Sequence, residues 1–332
     1  MKRIARSLLW SSIIWVLVLT GLLVFGTAKP PPPAAAITRA FATIDVDALP
    51  PIERYRARDG AELAYRIYAA QGSQVAVLIH GSAGSSADMD LLARALQAAN
   101  VTVLIPDLRG HGWNRPHGDI GYVGQLEDDL ADLLSKEKPH YPQARWTALG
   151  FSSGAAFTLR VAAETPLGLS FDRYVVVSPY LRYDAPSVRK AASGTNADNS
   201  GAADHRSQSW AAASVGRIIA LRMLNRVGVH RWDGLPVVAF PVSAHSNFVT
   251  QTYSWRLQQN FGAHDQYLDD IRRVRRPMEV FVGRSDELLD AARLSSEFAS
   301  RADIPVIILP GMGHPDMVTN PEAIRVLVAS FS

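Results

Sequence analysis

The stretch Trp146-Thr147-Ala148-Leu149-Gly150-Phe151-Ser152-Ser153-Gly154-Ala155-Ala156-Phe157 decides how the rest of the chain is interpreted. It predicts a short apolar strand, a tight Gly-x-Ser-x-Gly turn and then a helix. Such a turn holds its central residue at sparsely populated backbone angles and lifts that side chain clear of both elements. Gly150 and Gly154 lack Cβ atoms, which lets the strand and the helix pass close together. We therefore expect Ser152 to be exposed above a helix N-terminus, where backbone amides favour developing negative charge.

Taken alone, this pattern also fits an ordinary glycine-flanked turn, because the chain contains 23 glycines. The interpretation therefore depends on partners for Ser152. A serine hydroxyl needs a base to take its proton, and that base needs a carboxylate to fix its tautomer. On doubly wound sheets with this kind of turn, the acid and then the histidine follow the serine along the chain.

His314 is the histidine that fits this order. It lies in Leu309-Pro310-Gly311-Met312-Gly313-His314-Pro315, just beyond an apolar strand, and Asp286 follows another such strand 28 residues earlier. Glu287 and Asp290 are rival acids, but their position suits the first turn of the next helix, where carboxylates favour the dipole. The predicted catalytic residues are therefore Ser152, Asp286 and His314.

A tetrahedral intermediate at Ser152 would need two amide donors for its oxyanion. The Ser153 amide directly follows the serine and is the first predicted donor. The second is expected from the loop at 80–84, with the Ser82 amide as first choice and the Ala83 amide as second. His80 precedes these donors, so we expect it to hold the loop in place.

The remaining strands and helices indicate the fold. Residues 52–58 and 62–69 alternate apolar and polar side chains around Asp59-Gly60, which predicts an antiparallel hairpin. Other runs are mainly apolar, and residues 75–79 are continuously so, as is typical of parallel strands covered on both faces. Strands that alternate with helical patterns indicate an α/β fold with a doubly wound, mostly parallel sheet. The apolar runs are 75–79, 101–105, 146–149, 174–178, 278–282 and 305–309.

The strand–helix rhythm stops between Pro179 and Arg276, an interval too long for a structureless loop. We predict a cap of helices and loops, residues 180–276, over the carboxyl edge of the sheet, where ligands bind in open α/β folds. Residues 180–277 carry 13 Lys and Arg against 7 Asp. A basic, amphipathic cap would suit anionic lipid headgroups, and an ordinary solvated face is the alternative.

The N-terminal segment predicts a membrane anchor. Three basic residues within the first six positions precede an uncharged run of 21 residues from Leu8 to Ala28, long enough to span a bilayer. The basic side should stay cytoplasmic. We expect a single-pass anchor at 1–29, a Pro/Ala-rich linker at 30–50 and an extracytoplasmic domain at 51–332, facing the periplasm of a bacterium. Small residues at 26–28 leave cleavage of a signal peptide as the alternative.

The sequence also argues against several kinds of site. The chain has no cysteine, which excludes disulfides, thiolate zinc sites and cysteine nucleophiles. It shows no basic stripe interleaved with aromatic residues, so we expect no nucleic-acid partner. The 80–84 loop lacks the spacing of phosphate and dinucleotide motifs. Asp107, Arg109 and His111 could be taken for metal ligands, but we interpret them as a structural turn and expect no metal and no cofactor.

Five segments together resemble the α/β-hydrolase superfamily: His80–Gly84, Asp107–Gly112, Gly150–Gly154, Gly283–Asp286 and Gly313-His314. The Asp-Leu-Arg-Gly-His-Gly segment in particular resembles the branch of serine aminopeptidases, monoacylglycerol lipases and lysophospholipases. The resemblance covers residues 52–179 and 277–331. It implies Ser152, Asp286 and His314 as a catalytic triad that works without a cofactor.

The expected function is hydrolysis of a carboxylic ester through an acyl-enzyme, with a small-molecule or lipid acyl ester as substrate. Acyl transfer, thioester cleavage and peptide cleavage with the same triad are alternatives. A non-catalytic scaffold with the hydrolase fold is a further one. The sequence specifies neither the acyl-chain length nor an oligomeric state.

Overall fold

A computed structural model of the chain describes residues 2–31, 44–189, 210–241 and 249–331. The strands are β1 (Glu53–Arg56), β2 (Glu62–Tyr68), β3 (Gln74–Ile79), β4 (Val101–Pro106), β5 (Arg145–Phe151), β6 (Arg173–Val177), β7 (Ala212–Ala213), β8 (Pro236–Ala239), β9 (Thr252–Ser254), β10 (Met278–Gly283) and β11 (Val306–Leu309). The helices are α1 (Lys2–Phe25), α2 (Asp90–Ala98), α3 (Gln125–Glu137), α4 (Ser153–Ala163), α5 (Val215–Arg226), α6 (Trp255–Asn260), α7 (Tyr267–Arg273), α8 (Ala291–Phe298), α9 (Asp316–Thr319) and α10 (Pro321–Ala329).

Eight strands form the central sheet in the order β1-β2-β4-β3-β5-β6-β10-β11. Strand β2 runs antiparallel to both of its neighbours, and the other neighbouring strands are parallel. The predicted α/β fold with a mostly parallel sheet is confirmed, and the predicted hairpin forms its β1 edge. Because parallel strands end at the same edge, the loops after β3, β5, β10 and β11 all meet there.

The two faces of the sheet are covered by separate apolar clusters. Side chains of β3 alternate between them, with Val75 and Val77 in one cluster and Ala76 and Leu78 in the other. Helices α3 and α4 contribute to the first cluster, and α2 and α10 to the second. Burial on both faces explains why the parallel strands are mainly apolar in sequence.

The interval between β6 and β10 forms the cap. The cap contains helix α5, as a cap of helices and loops would, but it also contains a three-stranded antiparallel sheet, β7-β8-β9, which was not predicted. These strands have two, four and three residues, too few to show an alternating pattern in the sequence. Residues 190–209 and 242–248 of the predicted cap lie outside the described residues.

The β9–α6 segment of the cap is fastened to the core. The Ser254 amide donates to the Gly118 carbonyl at 2.8 Å. The Asn260 side chain accepts from the Gly124 and Leu126 amides at 2.9 and 3.1 Å. These amides lie at the start of α3, where backbone donors have no partner within the helix. A cap residue therefore completes the N-terminus of a core helix.

The predicted membrane anchor at residues 1–29 is not supported. The segment does form α1, a helix of 24 residues. Across the ranges that the structure describes, no helix combines the length and apolar character that crossing a bilayer needs. The end of α1 packs on the cap, where the Leu23 carbonyl accepts from Arg217 Nε at 2.9 Å. The Ala28 amide also donates to Ser214 Oγ at 2.7 Å.

Candidate active site

Ser152 stands in the turn between β5 and α4, at φ 57° and ψ −120°. This conformation is rare for a residue with a side chain, and close packing around the turn maintains it. A Cβ on Gly150 would lie 2.2 Å from the Gly154 carbonyl oxygen, and one on Gly154 would lie 2.2 Å from the His80 carbonyl oxygen. Glycine is therefore required at both flanking positions, and Ser152 is carried to the carboxyl edge of the sheet.

The three predicted catalytic side chains meet at this edge. Ser152 Oγ lies 2.9 Å from His314 Nε2, and His314 Nδ1 lies 2.8 Å from Asp286 Oδ2. All three residues are buried, since at most 7% of each is exposed. In this arrangement His314 Nδ1–H donates to the carboxylate, which leaves Nε2 to accept the proton of the serine hydroxyl.

Both carboxylate oxygens of Asp286 have hydrogen-bond partners. Its Oδ1 accepts from the Leu288 and Leu289 amides, each at 2.9 Å, while Oδ2 faces His314. Burial acts to raise the pKa of Asp286, but the His314 imidazole and the Leu288 amide outweigh it, so the pKa lies below its usual value. The carboxylate is therefore fixed in orientation and available to stabilise an imidazolium.

The two rival acids have other positions. Glu287 Oε2 accepts the backbone N–H of His314 at 2.7 Å and so fixes the loop that carries the imidazole. Asp290 caps α8, with its Oδ1 accepting from the Ala292 and Arg293 amides. The structure thus brings Asp286, and neither rival, into contact with the His314 ring.

The predicted oxyanion donors lie beside the serine. Ser82 Oγ is 2.5 Å from Ser153 Oγ, which brings the loop after β3 against the start of α4. Neither the Ser82 nor the Ser153 amide has an acceptor within the described part of the chain. The Ala83 amide, the second choice, already donates to the Tyr253 hydroxyl at 2.6 Å. Sequence reasoning missed Tyr253 because it lies in the short cap strand β9, outside any motif.

His80 and the neighbouring turn at 107–112 are held by hydrogen bonds within the core. The Leu108 amide donates to His80 Nε2 at 3.2 Å, and His80 Nδ1 donates to the Gly81 carbonyl at 2.9 Å. Burial lowers the pKa of His80 to about 4, so the ring is neutral. Asp107 accepts from the Ser86 and Trp113 amides at 2.6 and 3.1 Å. Among the residues that can be described, no group of three or more metal-ligating side chains occurs.

A cavity of about 1600 Å³ lies between the catalytic edge and the cap. This exceeds the roughly 300–1,000 Å³ usual for small-molecule pockets. Ser82, Ser152 and Ser153 form part of its wall on the core side. The apolar side chains of the cap wall include Ile218, Ile219, Val238, Phe240, Trp255 and Phe261. Basic residues of the wall include Arg182 and Arg222 of the cap and Arg160 of core helix α4. The reacting groups therefore face a large space whose cap side is mainly apolar.

The comparisons with known proteins identify the family of this chain. Residues 70–322 match the family described as serine aminopeptidase, S33, a match that covers well over half of the chain. The chain belongs to the serine aminopeptidase S33 family. It is therefore a member of the α/β-hydrolase superfamily, in the branch to which the Asp107–Gly112 segment pointed.

Relatives of this S33 family member include hydrolases of several kinds. NocK of Nocardia uniformis subsp. tsuyamanensis, provisionally named an esterase, is 28% identical over 167 residues, 41% of this chain and 47% of NocK. The chain thus spans about half the length of that relative. The 2-(acetamidomethylene)succinate hydrolase of Mesorhizobium japonicum is 25% identical over 265 residues, 77% of this chain and 86% of that enzyme.

The fold of this S33 family member also matches solved structures. A monoglyceride lipase from Saccharomyces cerevisiae, solved with a substrate analogue, aligns with a TM-score of 0.59. The two chains are 17% identical, and the alignment covers 86% of this chain and 94% of the lipase. At this level of identity the likeness shows the shared fold alone.

Proposed function

We propose that the chain is a serine hydrolase that cleaves carboxylic esters through an acyl-enzyme. The observation that carries the proposal is the continuous hydrogen-bonded path from Ser152 Oγ through His314 to Asp286, at 2.9 and 2.8 Å. This arrangement supplies a nucleophile, a general base and a carboxylate that stabilises the charged base.

The reaction follows from these positions. His314 Nε2 takes the Ser152 proton as Oγ attacks the ester carbonyl. The tetrahedral oxyanion accepts hydrogen bonds from the Ser82 and Ser153 amides. His314 then gives its proton to the departing alcohol, which leaves an acyl group on Ser152. A water molecule, deprotonated by the same imidazole, releases the acid and restores the serine.

The large and mainly apolar cavity favours an acyl ester with a substantial hydrocarbon part as substrate. Its cap wall includes exposed apolar side chains of α5, Val215 and Ile219, next to Arg222. Apolar burial is worth about 0.8 kcal/mol for each methylene group. Each added pair of methylene groups should therefore strengthen binding until the acyl chain fills the space.

Two measurements test the proposal. A fluorophosphonate probe should label the wild-type chain and should not label Ser152→Ala, because the probe needs a nucleophilic serine. The matched control is Ser135→Ala, which makes the same change on the surface of α3, where Ser135 Oγ contacts only the Ala131 carbonyl among the described residues. This control should label at the wild-type rate.

The second measurement is a p-nitrophenyl ester series from acetate to palmitate, with an aminoacyl p-nitroanilide in parallel. We expect kcat/KM to rise from acetate to the medium-length esters and the anilide to be cleaved far more slowly. A faster anilide reaction would favour the peptidase alternative. No labelling and no ester turnover by the wild-type chain would leave the scaffold interpretation in place of the enzyme.

A further inference from the structure

Ala83, in the loop after β3, adopts φ +60°. An L-residue with a Cβ pays roughly 1–2 kcal/mol in this left-handed region, so the surroundings must hold it there. The residue directly follows Ser82, whose amide is the proposed second oxyanion donor. The conformation at Ala83 therefore affects the direction in which that donor points.

The cap holds Ala83 by both of its backbone polar groups. The Ala83 N–H donates to the Tyr253 hydroxyl at 2.6 Å, and the Ala83 carbonyl accepts from the Thr250 amide at 3.0 Å. Thr250 and Tyr253 belong to one short segment of the cap that leads into α6. This segment thus binds the loop after β3 through both the N–H and the carbonyl of Ala83.

Tyr253 is itself fixed in orientation. Its hydroxyl lies 2.7 Å from His111 Nε2, and His111 Nδ1 donates to the Arg109 carbonyl at 3.1 Å. Burial lowers the pKa of His111 well below its usual value, which keeps the ring neutral and leaves Nε2 as an acceptor. The Tyr253 O–H therefore donates to His111, and its oxygen lone pairs are free to accept from Ala83.

Packing supports the same orientation. Tyr253 is 2% exposed, and its ring meets those of Phe240 and His111 edge-on, with centroids 4.7 and 5.2 Å away. Tyr253 does not belong to the described wall of the cavity. Its hydroxyl therefore contacts the loop and not the cavity.

We propose that Tyr253 is a positioning residue for the oxyanion hole. By occupying the Ala83 amide, it leaves the Ser82 amide as the second donor and fixes the direction of that donor from the cap. The inference rests on the proposed hydrolase function and adds to it a physical link between the seating of the cap and the stabilisation of the transition state.

The test is Tyr253→Phe, which keeps the ring and removes the hydroxyl. Loss of an oxyanion donor lowers kcat by about 100- to 1,000-fold, and a loop that is displaced but present should lower it by about 10- to 100-fold. KM for a short ester should change less than about threefold. Affinity for a trifluoromethyl ketone, which forms a tetrahedral adduct, should fall by the same factor as kcat.

The matched control is Tyr174→Phe. Tyr174 is equally buried, and its hydroxyl donates to the Gly168 carbonyl at 2.9 Å, so its loss costs stability without touching the site. All rates are measured well below each melting temperature and divided by the concentration of sites titrated with fluorophosphonate. Tyr174→Phe should keep its wild-type kcat.

A second pair of variants separates positioning from relief of strain. Ala83→Gly removes the cost of φ +60°, so a Tyr253 that serves only to offset strain would become dispensable in that background. We expect Tyr253→Phe to lower kcat at least 10-fold there as well. A loss of less than twofold in either background, or a change in KM alone, would overturn the inference. A wild-type chain without labelling or turnover would overturn the proposed function itself, which is a separate result.

Discussion

Asp286 and Glu287 are adjacent, and both contact His314. We expect their replacement to have very different effects on kcat. Asp286 Oδ2 faces the imidazole, whereas Glu287 Oε2 accepts the backbone amide of His314. We predict that Asp286→Asn lowers kcat by about 10⁴-fold, because the amide favours the wrong tautomer of the base. Glu287→Gln keeps a side-chain acceptor and should stay within about fivefold of wild type.

Steady-state kinetics with one short ester compare the two variants. Both proteins should retain near-wild-type melting temperatures, which separates chemistry from folding. A larger loss in Glu287→Gln than in Asp286→Asn would show that Glu287, and not Asp286, is the working acid. A small loss of kcat in both variants would show that neither carboxylate is required for turnover.

The candidate triad could be predicted from the sequence because its members follow a strict chain order on loops after identifiable strands. The choice between Ser82 and Ala83 could not be made in the same way. It depends on Tyr253, which is 170 positions from Ala83 along the chain and lies in a three-residue strand. A contact between positions so far apart leaves no local pattern in a single sequence.

His264 joins two elements through its ring. Nδ1 lies 2.8 Å from Asp270 on α7, and Nε2 lies 3.1 Å from Glu164, which follows α4. The hydrogen bonds to Asp270 and Glu164 raise the pKa of His264 to about 9. The folded protein therefore binds a proton that the unfolded chain releases near pH 6.5.

We predict a pH-dependent stability from this group. Its contribution is complete below about pH 6.5 and is lost as the pH rises to about 9, since the folded-state pKa is the higher one. Because the side chain is 35% exposed, we expect a contribution of about 1 kcal/mol. Urea unfolding of wild type and His264→Gln at pH 6 and pH 10 checks this. A gap between the two proteins that does not narrow at pH 10 would contradict it.

At the element scale, length decided what could be predicted. Parallel strands such as β3 and β5 are buried on both faces and have six or seven residues, so they appear in the sequence as apolar runs. The cap strand β7 has two residues and no such pattern. Its place in a sheet follows from its pairing with β8, which the sequence does not show.

Arg217 connects three parts of the molecule. Its Nε donates to the Leu23 carbonyl in α1 at 2.9 Å, its Nη1 donates to the Pro236 carbonyl in β8 at 2.7 Å, and its own backbone lies in α5. The residue is 6% exposed. Replacement by methionine removes both part-buried hydrogen bonds, each of which contributes about 0.5–1.5 kcal/mol.

We predict that Arg217→Met lowers the free energy of unfolding by about 2 kcal/mol and speeds hydrogen exchange at residues 22–26. Arg226→Met, in the exposed last turn of the same helix, is the control and should change neither. Unchanged exchange at 22–26 in Arg217→Met would show that α1 is held to the cap by other contacts.

The extracytoplasmic location of the domain stays a prediction, which protease treatment of intact cells would check.

The packing of α1 on α5 has a practical consequence. Val215, Ile218 and Arg222 of α5 belong to the wall of the cavity. Helix α1 packs on α5 and is therefore separated from the cavity by this one helix. A bulky fusion partner or a solid support attached near Lys2 would disturb the packing of α1 on α5, and with it the cap wall of the cavity. The same partner attached after α10 would lie next to core helix α2, which α10 contacts directly in the second apolar cluster, away from the cap. Immobilised preparations should therefore be tethered at the C-terminal side.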